Sequence, residues 1–175
     1  ANGCGHDGLD RVGCFDFVLG SQYLMGSIPS FRAATLYPPD DPEADALAAT
    51  IRKWTTFYKR WRAPRPSGSS GLLTAQLIHL HRPDSRSLES VIHVTPDASA
   101  PERAMAVFIN PTGADVSRNC TLPLYYAGLA PGTPVTATPI DLHRQAPPAD
   151  AARAGSSPVV GGDGDGFTAI VVSVA

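Results

Sequence analysis

Two aspartates stand beside the first apolar stretch of the chain, where they could line a pocket. Asp10 and Asp16 flank the start of this stretch, which covers residues 12 to 19. Hydrolysis of a sugar linkage needs two carboxyl groups about 5 to 10 Å apart on a rigid scaffold, and the sequence shows no such pair. Lone carboxylates are usually solvated or cap a helix. We therefore take Asp10 and Asp16 as candidate substrate-binding residues and predict no catalytic residue in this chain.

Three histidines could suggest a metal site. His79 and His81 point to one side of a predicted strand and His93 lies on the next strand, as in zinc sites built from a His-x-His pair and a third histidine. A hairpin closing around residues 83 to 85 places His81 near position 88 and His79 near position 90, so His93 falls roughly 10 Å away at the rise of a strand. We predict no metal ligands here.

The glycine-rich run from 161 to 166 has two aspartates but lacks the further oxygen ligands of a calcium loop. A turn before a strand explains it, because Asp-Gly pairs adopt positive φ easily. The serines at 21, 27 and 30 lack a Gly-x-Ser-x-Gly setting, and no phosphate-binding glycine loop precedes a helix. We predict no cofactor.

The composition bears on two classes of possible partner, nucleic acid and membrane. A net charge of -2 with 43% apolar residues is typical of a soluble globular protein and gives no basic patch for nucleic acid. No apolar run approaches the roughly 20 residues that a membrane span needs. We expect neither a nucleic-acid partner nor a membrane.

The cysteines and one sequon bear on the compartment. Cys4, Cys14 and Cys120 match neither a zinc ribbon nor an even-numbered disulfide framework, and the sequence leaves their pairing open. Asn119-Cys120-Thr121 is a glycosylation sequon, whereas the proline in Asn110-Pro111-Thr112 excludes that site. The first sequon is compatible with a secreted or lumenal protein.

One long helix is predicted over residues 42 to 63, with Asp41 as its cap and Pro42 in its first position. Its apolar side chains share one face at spacings of three and four: Leu47, Ile51, Trp54, Tyr58 and Trp61. This aromatic stripe is more apolar surface than a short β domain needs, so we infer a partner layer that is missing from the chain. The apolar stretch from 12 to 19 fits either a buried strand or a short helix.

After a Gly- and Ser-rich linker at 66 to 71, short apolar runs alternate with turn clusters. We predict six strands, at 72 to 80, 88 to 95, 104 to 109, 119 to 125, 134 to 140 and 167 to 174. The expected fold is therefore mainly β, an antiparallel β-sandwich preceded by one long α-helix.

Several blocks, in order, resemble the C-terminal part of α-galactosidase-like glycoside hydrolases. They are Ser30-Phe31-Arg32, Leu36-Tyr37, Lys53-Trp54, Phe57-Tyr58-Lys59-Arg60 with Arg62, Ile78-His79-Leu80-His81-Arg82-Pro83-Asp84, Val91-Ile92-His93-Val94, the run from Ala106 to Thr112, and the run from Leu122 to Leu129. Together they cover most of residues 15 to 130. The stretch from 145 to 162 departs from the family and looks like an insertion.

The resemblance implies a parent enzyme with a (β/α)8 catalytic barrel, whose active site lies at the C-terminal ends of its strands. Residues 1 to 65 would be the end of that barrel, including its last helix, and residues 66 to 175 the terminal β-sandwich domain. The family's catalytic aspartates lie on earlier strands, so no residue here inherits their role.

The implied partners are the catalytic barrel of the same polypeptide and the carbohydrate substrate of the parent enzyme. Because the aromatic stripe would then face the barrel, we expect the isolated chain to aggregate or stay partly unfolded. A stand-alone carbohydrate-binding module, with Tyr125 and Tyr126 as a sugar platform, is the first alternative. A structural sandwich with no link to carbohydrate is the second.

Overall fold

A computed structural model describes residues 11 to 30, 40 to 64, 68, 71 to 84, 86 to 112, 115 to 142 and 166 to 174. Its elements are the helices α1 (Arg11–Leu24) and α2 (Ala44–Arg62) and the strands β1 (Gln76–His79), β2 (Glu89–Val94), β3 (Glu102–Ile109), β4 (Val135–Ile140) and β5 (Phe167–Val174), with short 3-10 helices at Leu72–Thr74 and Leu124–Ala127. The described part of the chain is thus a mixed α/β fold, and its antiparallel sheet confirms that part of the prediction.

The apolar stretch that fits either a strand or a helix is helical, because it lies within α1. The helix buries Leu19, Tyr23 and Leu24, which recur at helical spacing, so only one side of it faces the interior. It ends two residues before Gly26, which has a φ of 75°. A second helix therefore occupies the stretch whose structure the sequence pattern leaves open.

The predicted long helix is confirmed, but it begins two residues later than expected. Ala44 is its first residue, and the cap position is Glu43, which makes no side-chain capping bond. Asp41 instead accepts a hydrogen bond from the backbone N–H of Glu43 at 2.9 Å and forms an ion pair with Arg11 of α1. Pro42 lies in the turn before the helix, so Asp41 links the start of α2 to α1.

The five strands form one sheet in the order β1-β2-β3-β5-β4, with every neighbouring pair antiparallel. Five of the six predicted strands are confirmed. The sixth, at 119 to 125, is wrong, because this segment forms no strand and enters the 3-10 helix at Leu124. Cys120 and Leu122 pack on a face of the sheet instead of pairing with an edge, and Pro123 has no N–H to donate to a ladder.

Each face of the sheet has its own cover within the described residues. On the helix face, α1, α2 and the turn at 72 to 74 pack over Val91, Met105, Val107 and Val171. On the opposite face, which we call the outer face, the segment from 116 to 129 packs over Ile92, Ala106, Phe108, Ile170 and Val172. The sheet is thus the middle of three layers, and the outer layer of the described residues is a single chain segment.

The aromatic stripe of α2 is buried inside the chain, so the inferred missing partner layer is wrong. Trp54 is 0% exposed and Trp61 8% exposed. The Trp54 ring lies against Phe167 of β5, with centroids 5.4 Å apart, and its indole N–H bonds to Asp16 of α1. The sequence showed how apolar the stripe is, but not that a second helix and the sheet would enclose it.

Candidate functional site

The candidate residue Asp16 sits between the two helices. Its Oδ1 accepts hydrogen bonds from Trp54 Nε1 at 2.7 Å and from Lys53 Nζ at 3.0 Å, and its Oδ2 lies 3.1 Å from the same ammonium group. The side chains of Asp16 and Lys53 are each 19% exposed. A carboxylate that satisfies both an indole and an ammonium group holds α1 against α2. Its contact with a substrate stays a prediction, and Asp10 lies outside the described residues.

A recess of about 80 Å³ opens beside this contact, between α2 and the end of β4. Its lining includes the rings of Trp54, Phe57 and Trp61, the cations of Lys53 and Arg60, and Leu142. The Lys53 ammonium lies 4.8 Å from the Trp54 ring centroid, and the Arg60 guanidinium 5.2 Å from that of Trp61. Because both cations lie over aromatic faces, this recess supplies cation–π contacts and apolar surface, and Asp141 is the carboxylate in its lining.

The histidines lie in three different settings. His79 pairs with Val91, one residue from the predicted position. His81 Nδ1 lies 2.6 Å from the Ser90 hydroxyl, and His93 Nε2 donates to the carbonyl of Leu24 at 2.7 Å. In the described ranges no group of three or more His, Cys, Asp or Glu residues is arranged to hold a metal ion.

His93 is the most buried titratable group among these, at 1% exposure. Burial lowers its pKa below the ordinary 6.5, and the bond to the Leu24 carbonyl opposes this only in part. Because Nε2 must carry a proton to donate, Nδ1 is the second nitrogen, and it has no hydrogen-bond partner among the described residues. His93 therefore fastens the end of α1 to the sheet as a neutral imidazole.

Two exposed tyrosines lie at the surface of the 3-10 helix at Leu124–Ala127. Tyr125 is 65% and Tyr126 40% exposed, and their ring centroids are 4.1 Å apart. A hydrogen bond between the two phenols raises the pKa of Tyr125. A shallow depression of about 270 Å³ adjoins Tyr125 and is lined by Leu129, Pro131 and Val135, among others.

Beneath the tyrosine pair lies a buried arginine that the sequence analysis missed. Arg103 of β3 is 4% exposed, and its Nη2 donates to the carbonyl oxygens of Pro96 and Ala127. Gly128, which follows Ala127, has a φ of 71°, and a Cβ there would lie 3.1 Å from the Arg103 guanidinium. Arg103 follows Glu102 and precedes the predicted strand at 104 to 109, so the sequence offers no signal of its burial.

This chain matches no protein-family model, no curated protein and no solved structure. The described helices include none that is both long enough and apolar enough to cross a membrane. The contacts described above and the sequence resemblance therefore carry the functional argument.

Proposed function

We propose that this chain is the non-catalytic C-terminal portion of a glycoside hydrolase, which braces the catalytic barrel of the same polypeptide. The hydrolysed bond is an O-glycosyl bond, with α-galactosides as the first substrate class to test. The main supporting observation is that the sequence blocks that resemble those enzymes fall, in order, on consecutive parts of one packed unit. They lie on α2, on β1 and its following turn, on β2, on β3 and on the 3-10 helix at Leu124–Ala127.

The contacts of Asp16 support the non-catalytic part of this proposal. A general acid or a nucleophile must reach the glycosidic bond. Both oxygens of Asp16 instead face Lys53 of α2, and one of them also accepts the Trp54 indole N–H. In this proposal the catalytic carboxylates belong to the barrel, and residues 1 to 65 form the end of that barrel. Residues 66 to 175 form the terminal β domain, and a sandwich there requires a second sheet.

The surface that contacts the barrel must lie away from the aromatic stripe, because the chain itself covers that stripe. Large apolar side chains are exposed on α1 and just after it, namely Val18 at 43% and Ile28 at 64% exposure. Both belong to the segment that the resemblance assigns to the barrel end. Single exposed apolar residues are common on protein surfaces, and we assign the brace here because this segment is the one that the resemblance joins to the barrel.

The test compares this chain with the longer protein that contains it. We expect no hydrolysis of chromogenic α-galactosides by the chain alone, and activity by the longer protein. Ile28→Asp should lower the thermal midpoint of the longer protein and leave its KM unchanged, because it disturbs the brace and not the sugar site. Ser27→Asp is the matched control, since it places the same charge on the neighbouring exposed residue. A longer protein without a barrel, or hydrolysis by the chain alone, would refute the proposal.

A stand-alone carbohydrate-binding module is the second candidate, and the tyrosine pair favours it. Two exposed, tilted rings beside a depression offer apolar faces for a sugar and phenol groups for its hydroxyls. Isothermal titration of the chain with galactosides and mixed glycans tests this function. Tyr125→Ala should abolish binding and Tyr125→Phe should retain most of it, because the ring face remains. Equal affinity of the Ala variant and the parent chain would exclude the platform.

A further inference from the structure

The sequon at Asn119 lies on the outer layer of the fold with its acceptor side exposed. From 115 to 123 the chain is in neither a helix nor a strand, and it crosses the outer face of the sheet. Cys120 and Leu122 are partly buried and pack on that face, whereas Asn119 and Thr121 are exposed. The two residues that a glycosylating enzyme must recognise therefore both face solvent.

A second, independent observation concerns the compartment. Cys14 is disulfide-bonded. Disulfides form and persist in oxidising compartments such as the lumen of the endoplasmic reticulum. N-linked glycosylation uses the same secretory route, so the sequon and the disulfide point to one environment.

We propose that Asn119 carries an N-linked oligosaccharide. In the transfer, the side-chain amide nitrogen Nδ2 of Asn119 forms a bond to the anomeric carbon of an oligosaccharide, and the bond from that carbon to a lipid-linked diphosphate breaks. The amide nitrogen loses one proton, and the lipid diphosphate leaves with the electron pair of the broken bond. The donor is an oligosaccharide on a lipid diphosphate, and no oxidant or reductant is needed.

A glycan at this position has a structural consequence. The segment that carries it covers Ile92, Phe108 and Val172 on the outer face of the sheet. A bulky hydrophilic group on that segment keeps the outside of the segment in solvent and closes it to a tight protein interface. This inference is independent of the proposed hydrolase function.

The experiment is expression of the full-length protein containing this chain in a eukaryotic secretory host. We expect a decrease in apparent mass after treatment with peptide N-glycosidase. Treatment in heavy-oxygen water should leave position 119 as a labelled aspartate in the peptide mass spectrum. Asn119→Gln and Thr121→Ala should each abolish glycosylation at this position, and Thr121→Ser should retain it, because serine keeps the sequon.

The chain also provides a matched control. Asn110→Gln should leave the glycosylation at position 119 unchanged, since Pro111 blocks the site at 110. Asn119 and Thr121 are both exposed, so the variants at these two positions should melt within error of the parent chain after removal of the glycan. Secreted protein with an unmodified Asn119, or a glycan that persists at this position in Thr121→Ala, would overturn the proposal.

Discussion

Substitution of Gly20 by alanine tests whether the aromatic stripe is packed within this chain. Gly20 lies on the buried side of α1, directly against the rings of Trp54 and Phe167. A Cβ on Gly20 would lie 2.6 Å from Trp54 Cζ2 and 2.6 to 2.7 Å from two Phe167 ring carbons. Carbon atoms pack favourably at about 3.5 to 4.0 Å, so this methyl group has no room.

Two opposing effects decide how much Gly20→Ala changes the free energy of unfolding. Alanine is favoured over glycine in a helix by roughly 1 kcal/mol. Overpacking a core costs about 1 to 3 kcal/mol, and the upper end applies where neighbours cannot move. Trp54 is held by its hydrogen bond to Asp16, and Phe167 is held between Trp54 and Phe17 at centroid distances of 5.4 and 5.3 Å. The expected net loss of unfolding free energy is about 2 kcal/mol, or roughly 4 to 8 °C in Tm for a chain of this size.

The assay is thermal and denaturant unfolding of the chain alone, followed by tryptophan fluorescence and far-ultraviolet circular dichroism. A double-mutant cycle with Phe167→Leu separates steric overlap from helix propensity. Phe167→Leu removes two of the three close ring contacts and leaves the one with Trp54, so Gly20→Ala should cost less in the Phe167→Leu background. We expect a coupling energy of at least about 1 kcal/mol, within the range for residues in contact.

Stabilisation of the chain by Gly20→Ala would contradict this packing. If the stripe of α2 were a surface for an absent barrel, α1 and β5 would not press on Trp54 and Gly20 would have open space beside it. Gly20→Ala would then stabilise the chain by its helix propensity. A raised Tm, or no coupling with Phe167→Leu, would therefore refute the packing on which this fold depends.

Three further predictions concern other contacts of the helices. Because burial lowers the pKa of His93, the unfolded state binds the proton more tightly than the folded state does, so the free energy of unfolding should fall as the pH drops below about 6.5. His93→Asn should flatten this pH dependence in urea titrations from pH 8 to 5. Asp16→Asn should cost roughly 1.5 to 3 kcal/mol in chemical denaturation, because it removes the charged acceptor of Lys53, and a change below about 0.5 kcal/mol would contradict this role. Gly71→Ala should prevent folding or lower Tm more than Gly20→Ala does, because a Cβ there overlaps the main-chain carbonyl of Arg62, which cannot swing aside, and a melt like that of the parent chain would refute it.

The sequence carried enough information for the long helix and for five strands, because their signals are local. The spacing of Trp54, Tyr58 and Trp61 marks one helix face, and β-branched runs between turn clusters mark strands. The segment from 119 to 125 has the same local character, but the long-range packing of Cys120 and Leu122 decides its structure. Local pattern does not distinguish a strand from an extended segment that lies on a sheet.

The candidate site also depends on contacts between residues that are far apart in the sequence. The sequence placed Asp16 beside an apolar stretch, but its partners Lys53 and Trp54 lie more than 35 residues further along the chain. The predicted pairing of His79 was one residue off, because the hairpin turn after His81 is slightly longer than assumed. The buried Arg103 was missed since its partners are backbone carbonyls, which leave no pattern in the sequence.

The two faces of the sheet limit how a catalytic barrel could be braced by this chain. The helix face is filled by α1 and α2, and the outer face by the segment that carries Asn119. A barrel would therefore contact the outside of one of these two covering layers or an edge of the sheet, and not a face of the sheet itself. Since Val18 and Ile28 are exposed on and beside α1, while a glycan on Asn119 would occupy the opposite side, the brace and the sugar would lie on opposite sides of the sheet. One orientation then satisfies both proposals, although each is tested by its own variants.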